Sequence, residues 1–316
     1  MTAVATKPLV HRLRDALDGD ERELDALSDA RPGDELDQLS ALAELHALWL
    51  APLSTTGGRE RLQSHPAVVA LKARLERSFL DGVERAAGPR VDIRPDEAAA
   101  AMRRVAAMEL VPAVYRWIAE EATWDDVVDF LSVEGGPDAG FDDLVAIAQV
   151  GIRGVAKVAL AANYWDELGQ GDPAAVHTVL HDRLVVATAM SSRPLAAPTP
   201  AALRRSTLGG VLATNRWLQL EFIGALGLLE LQAGPRCRAV VRAFDRLGAP
   251  SDARPFYEEH AMADPHHGRD WLNRVVGPLA QQEAVWATRM VRGAQLRHAV
   301  NTAFFAEMNE RFRLRG

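Results

Sequence analysis

Residues 257–267 read YEEHAMADPHH, and taking this stretch as a helix decides how the rest of the chain must be arranged. His260, Asp264 and His267 stand at i, i+4 and i+7, the spacing that puts three side chains on one stripe of an α-helix. Two imidazoles and a carboxylate on one stripe form half of a site for a metal that accepts mixed nitrogen and oxygen donors. A second segment, NYWDELGQGDPAAVH at 163–177, carries Glu167 and His177 on either side of a glycine-broken helix end. It can bring another carboxylate and imidazole to face the first group.

Outward from these two segments the pattern stays helical. Apolar residues recur at three- and four-residue steps over 8–27 and 35–53, predicting amphipathic surface helices. Ser54–Gly58 reads as a loop, Pro66 opens a helix to about Ala87, and residues 90–95 form a connector. One long helix is expected over 95–122, and TWDD at 123–126 reads as the cap of another that stops at Gly135-Gly136-Pro137. Residues 141–168 are rich in Ala, Val, Ile and Leu and predict a central helix buried on most sides; residues 173–190 predict another, bearing His177 and His181. After the Pro-rich linker SSRPLAAPTPAA comes a second long apolar helix over 199–232, ended by Gly234-Pro235. Shorter helices follow at 236–247 and 252–263, then a pair from His267 to the C-terminus. With no strand alternation of useful length, no hairpin dipeptide and no fixed-period repeat, the class is all-α.

Composition narrows the function. The 36 basic and 43 acidic residues are interspersed and leave a net charge of −7, which argues against a nucleic-acid or anionic-membrane surface. The longest apolar run, Phe222–Leu229, lies between Glu221 and Glu230 and is too short to span a bilayer, so it reads as buried helix. The N-terminus shows no apolar signal segment, and the single cysteine, Cys237, excludes an internal disulfide and a CxxC zinc site; a cytoplasmic location is expected. No GxxxxGK[ST], HExxH or GxSxG occurs. The GxGxxA at 169–174 follows a helix instead of a strand and contains a proline, so it is set aside.

Three blocks carry a resemblance to a known family: FLSVEGGPDAGFDDLVAIAQVGI at 130–152, NYWDELGQGDPAAVH at 163–177 and RLGAPSDARPFYEEHAMADPHH at 246–267. In order and content they resemble the haem-oxygenase-like diiron oxidases and oxygenases, often labelled iron-containing redox enzymes. The resemblance implies a haem-oxygenase-like seven-helix bundle with additional N-terminal helices. Residues 1–95 would be a helical extension packed on a core formed by residues 96–316. It also implies two Fe ions cycling between Fe2+ and Fe3+, held by Glu134, Glu167, His177, His260, Asp264 and His267. His266 is the alternative to His267 because Pro265 interrupts that helix, and Asp138, Glu120 or Glu121 are alternatives to Glu134. Three carboxylates and three imidazoles suit a ferrous pair and exceed what a closed tetrahedral zinc site needs.

The implied activity is an O2-dependent nonhaem diiron oxidoreductase acting on a small-molecule substrate, with room for an external electron donor and a homodimer. An amino acid or amine is expected, through N-oxygenation, desaturation or C–C cleavage in natural-product metabolism. Asn215, Arg216 and Glu221 are the candidate substrate contacts, because a charge on an otherwise apolar helix needs a partner. Oxidative decarboxylation of a fatty acid is the alternative chemistry. A metal-free helical binding or scaffold protein is the alternative class.

Overall fold

Helices fill the computed structural model, whose described residues are 7–19, 22–135, 140–193 and 199–314, with only the backbone described at 264 and 265. The chain is all-α, with sixteen α-helices and no strand among the described residues. In the N-terminal part lie α1 (Leu9–Asp18), α2 (Arg22–Asp25), α3 (Glu35–Leu50), α4 (Leu53–Thr56) and α5 (Pro66–Ala86). Next come α6 (Ala98–Met108), α7 (Ala113–Glu120), α8 (Trp124–Glu134), α9 (Phe141–Ala148), α10 (Gly154–Glu167) and α11 (His177–Thr188). The chain continues with α12 (Pro200–Thr214), α13 (Gln219–Leu247), α14 (Pro255–Asp270), α15 (Gly277–Ala280) and α16 (Ala284–Arg311). None of them is long and apolar enough to cross a membrane.

Caps form where the residue types call for them. Thr123 and Asp126 make a reciprocal capping box at α8, with N–H to side-chain distances of 3.0 and 3.3 Å. The Asp37 carboxylate accepts from the backbone N–H groups of Leu9 and Val10, both at 2.8 Å, tying the start of α1 to α3.

Several expected helix boundaries move, each for a tertiary reason. The expected helix over 95–122 breaks between α6 and α7, where the Glu109 and Leu110 carbonyls accept from Arg236 and Pro112 restarts the chain. The expected central helix over 141–168 is two helices. Their junction is held by Gln219 Nε2, which donates to the Ala148 carbonyl at 3.0 Å, and Arg216 Nη1, which donates to Val150 at 3.1 Å. The expected helix over 199–232 breaks at Asn215, whose amide donates to both Glu76 oxygens. It then runs on through Pro235 to Leu247, because α13 is packed along both α14 and α16 and tertiary contact outweighs one lost backbone bond. The predicted loop at 54–58 contains the short α4, and α14 is continuous across 264–265.

The α13–α16 crossing is tight. A Cβ on Gly224 would stand 1.7 Å from the Met290 carbonyl oxygen, and one on Gly293 would stand 1.8 Å from that of Glu221. The two backbones therefore meet where neither helix carries a side chain. Around this crossing the apolar core forms two clusters. One unites α1, α3, α5 and α6 with α10 and the N-terminal half of α13; the other gathers α7, α8 and the C-terminal half of α13. Helices α13 and α16 run through both.

Candidate metal centre

Between the two clusters, polar side chains converge from α10, α11, α13 and α14. Glu167 is the last residue of α10 and His177 the first of α11. The loop joining them passes so close to itself that a Cβ on Gly169, whose φ is 59°, would lie 2.5 Å from the Ala175 carbonyl carbon. The α10 C-terminus adds partial negative charge beside the Glu167 carboxylate, which favours a cation there. His177 Nδ1 lies 2.6 Å from Glu167 Oε2, and the rings of His177 and His260 are 4.4 Å apart.

Two triads follow, with ligand atoms in each within 4.8 Å of one another: Glu167, His177 and His260, and Glu167, Glu230 and His267. Glu167 belongs to both. The imidazoles are held in defined tautomers by groups outside the triads. His260 Nδ1 lies 2.6 Å from the Phe256 carbonyl and donates to it, which leaves Nε2 as the ligand atom. His267 Nε2 lies 3.0 Å from Asp166 Oδ2 and donates to that carboxylate, while Nδ1 faces Glu230 Oε2, 3.5 Å away. Asn163 Nδ2 donates to Glu230 Oε1 at 2.8 Å.

Glu230 is 4% exposed, and its partners are the Asn163 amide and the His267 imidazole. A carboxylate buried in that company is stabilised by a cation placed between it and the imidazole. Carboxylate and imidazole donors in these numbers fit iron.

Of the residues expected from sequence, Glu167, His177, His260 and His267 come together in the triads. His266, the alternative to His267, is exposed beside Arg269. Glu134 lines the same cavity but stands outside both triads; its carboxylate lies 3.4 Å from Arg205 Nη2, and its carbonyl accepts from Arg205 Nη1 at 3.2 Å. The Asp264 side chain and Asp138 lie outside the described residues. The expected substrate contacts are occupied elsewhere: Asn215 by Glu76, Arg216 by Val150 and Glu221 by Arg289, and none of the three lines the cavity. His181 is buried one turn after His177, its imidazole held below the usual histidine range by burial, with His260 acting in the same direction.

A cavity of about 130 Å³ opens from the first triad toward Tyr115, Arg205, Arg236 and Tyr257. Phe141, Leu229, Ala233 and Phe256 supply its apolar wall. On a scale of 10–15 Å³ per water it holds on the order of ten waters, which suits a small metabolite. Burial raises the Asp142 carboxyl above its usual range, and burial and the Glu134 charge push the Tyr115 and Tyr257 hydroxyls well above theirs, so both phenols stay protonated. Sequence reasoning missed Glu230, Asn163, Asp166, Arg205 and Arg236. The one visible signal was Glu230, an acid closing the apolar run Phe222–Leu229.

A family model described as iron-containing redox enzyme matches residues 129–301. That interval contains every member of both triads. No curated protein matches the chain.

Proposed function

The chain belongs to the iron-containing redox enzyme family, and from that premise we propose that it is an oxidoreductase whose two irons use O2 to oxidise a small metabolite. The observation that carries the reading is the sharing of Glu167 between two triads, the arrangement expected of a carboxylate that bridges two ions. In this reading His177 and His260 would hold one iron and Glu230 and His267 the other, with Asp264 adding a carboxylate to the set. Bound iron would supply one-electron chemistry and reaction with dioxygen, with an external donor returning electrons where turnover consumes them.

The protein's own groups do the rest. The Phe256 carbonyl and the Asp166 carboxylate keep the His260 and His267 rings turned toward the centre. Asn163 holds one Glu230 oxygen and leaves the other directed at His267. Phe141, Leu229 and Phe256 keep bulk water from the reacting end of the cavity, and the protonated hydroxyls of Tyr115 and Tyr257 can donate hydrogen bonds to a bound substrate. The resemblance read in the sequence supports a substrate of the amino-acid or amine class in natural-product metabolism.

Anaerobic titration of metal-free protein with ferrous iron tests the reading. About two irons per chain are expected, falling to about one in His260→Ala and in His267→Ala while the helical circular dichroism persists. A wild type saturating at one iron, or either variant still holding two, would overturn the shared-carboxylate centre.

A further inference from the structure

Arg236 is buried at the wall of the cavity, yet none of its hydrogen bonds goes to a carboxylate. Its Nε donates to the Leu110 carbonyl at 3.1 Å and its Nη2 to the Glu109 carbonyl at 2.8 Å. The guanidinium carbon lies 5.0 Å from the ring centre of Phe305 and 5.9 Å from that of Tyr115. Nη1 has no hydrogen-bond partner among the described residues. The other buried arginine of the cavity, Arg205, is in a different position, since it faces the Glu134 carboxylate. The carboxylates of Glu134 and Glu109 act on Arg236 through space, but neither is hydrogen-bonded to it. A buried, permanently charged fork held by backbone carbonyls and aromatic faces is preorganised for a planar anion.

The second observation is the position of this charge relative to the triads. Leu229, Glu230, Ala233, Arg236 and Cys237 all line the cavity, at the spacing of a single face of α13. Glu230 and Arg236 are six residues apart on that face, or roughly 9 Å along the helix axis at 1.5 Å per residue. The arginine end and the triad end of the cavity are thus different ends, with Leu229, Ala233 and Phe256 between them.

We propose that Arg236 is the carboxylate dock of this enzyme: the cavity takes a small monocarboxylic acid with an apolar body, its carboxylate on Arg236 and its far carbons toward Glu167, His177 and His260. This rests on the reading of those residues as the iron centre. It narrows the substrate class, because an amino acid or simple organic acid satisfies the dock and a plain amine does not. It also means that the atom oxidised is remote from the carboxylate.

Calorimetric titration of the anaerobic ferrous protein with hexanoate, hexanamide and hexylamine tests the dock without relying on turnover. Hexanoate should bind at least about tenfold more tightly than the amide or the amine, the ratio expected when a charge-assisted bond is lost. Arg236→Gln should abolish that preference by weakening hexanoate about tenfold or more while leaving hexanamide within about twofold, and Arg236→Lys should keep part of the preference. The same ranking is expected in metal-free protein, since Arg236 and not iron reads the carboxylate. Equal binding of acid and amide by the wild type, undiminished hexanoate binding by Arg236→Gln, or a preference that exists only with iron bound would each overturn the proposal. If Arg236→Gln does not fold, the wild-type comparison of acid with amide decides alone. Iron content measured on the same samples reports on the metal centre separately.

Discussion

Replacing Glu230 by Gln should make the metal-free protein more stable and the iron-binding protein worse, and the structure fixes both signs. Glu230 is 4% exposed, so its charge bears a desolvation cost that remains several kcal/mol after relaxation. Against that cost stands the bond from Asn163 at 2.8 Å, worth about 1.5–3 kcal/mol to a charged acceptor. The other carboxylate oxygen lies 3.5 Å from His267 Nδ1, at the outer limit of hydrogen-bond distance. Glutamine keeps an oxygen for Asn163 and removes the buried charge. The net gain is about 1–3 kcal/mol, which for a chain of this size is a rise of roughly 1.5–4.5 °C in the unfolding midpoint. On the metal side, if Glu230 holds the second of the two proposed irons, its loss should weaken binding of that iron by at least ~10–100-fold, the range already seen when only a ligand's supporting partner is removed. Differential scanning calorimetry in chelator, together with iron analysis of protein loaded at a fixed ferrous concentration, reads both effects. A midpoint that falls with iron content unchanged would show that Glu230 is an ordinary structural carboxylate, and the second triad would have to be abandoned.

Gly224→Ala should cost about 2 kcal/mol or more despite alanine's better helix propensity, because its Cβ would stand 1.7 Å from the Met290 carbonyl and the α13–α16 crossing would have to open; urea unfolding measures it, and an unchanged midpoint would refute the tight crossing. Thr123→Ala should lose about 1 kcal/mol with the α8 capping box, whereas Thr123→Ser should lose little. His46, His181 and His298 all hold their imidazoles below the ordinary value of 6.5, burial being the largest cause in each. The unfolded chain therefore takes up protons first, and the stability these groups contribute is present above pH 6.5 and lost as pH falls through their folded values. Unfolding midpoints from pH 8 to pH 5 should decline on the acid side of about 6.5, less steeply in His298→Asn; an identical slope in that variant would remove His298 from the account.

The all-α class was legible because amphipathic spacing and caps are local, and TWDD shows both on one line of sequence. His260, Glu167 and His177 were legible because their spacing along the chain is itself helical or loop geometry. Glu230 was not, since nothing near it in sequence distinguishes an acid ending an apolar run from one at a surface. Its role arises when α10 brings Asn163 and α14 brings His267 beside it. Arg236 was hidden for the same reason, as its partners are carbonyls at a helix break that sequence periodicity ran straight through. The misplaced boundaries at Asn215 and Pro235 have one cause in common: each is decided by what α12 or α13 touches, not by the propensity of the residue.

The two core clusters bear on how much of this chain can stand alone. The family match begins at residue 129, yet the cluster that holds α10, and with it Glu167, is built partly from Leu13, Leu42, Leu45, Leu71 and Leu75 of α1, α3 and α5. A fragment cut at the match boundary would bare to water the flanks of α12, which packs on α3, and of α13, which packs on α6 and α7, and would leave Glu230 on a helix stripped of part of its support. The matched interval is therefore a unit of resemblance and not of excision: α3, α6 and α7 act as a splint for it, and grafting it into another protein would require the splint to travel with it.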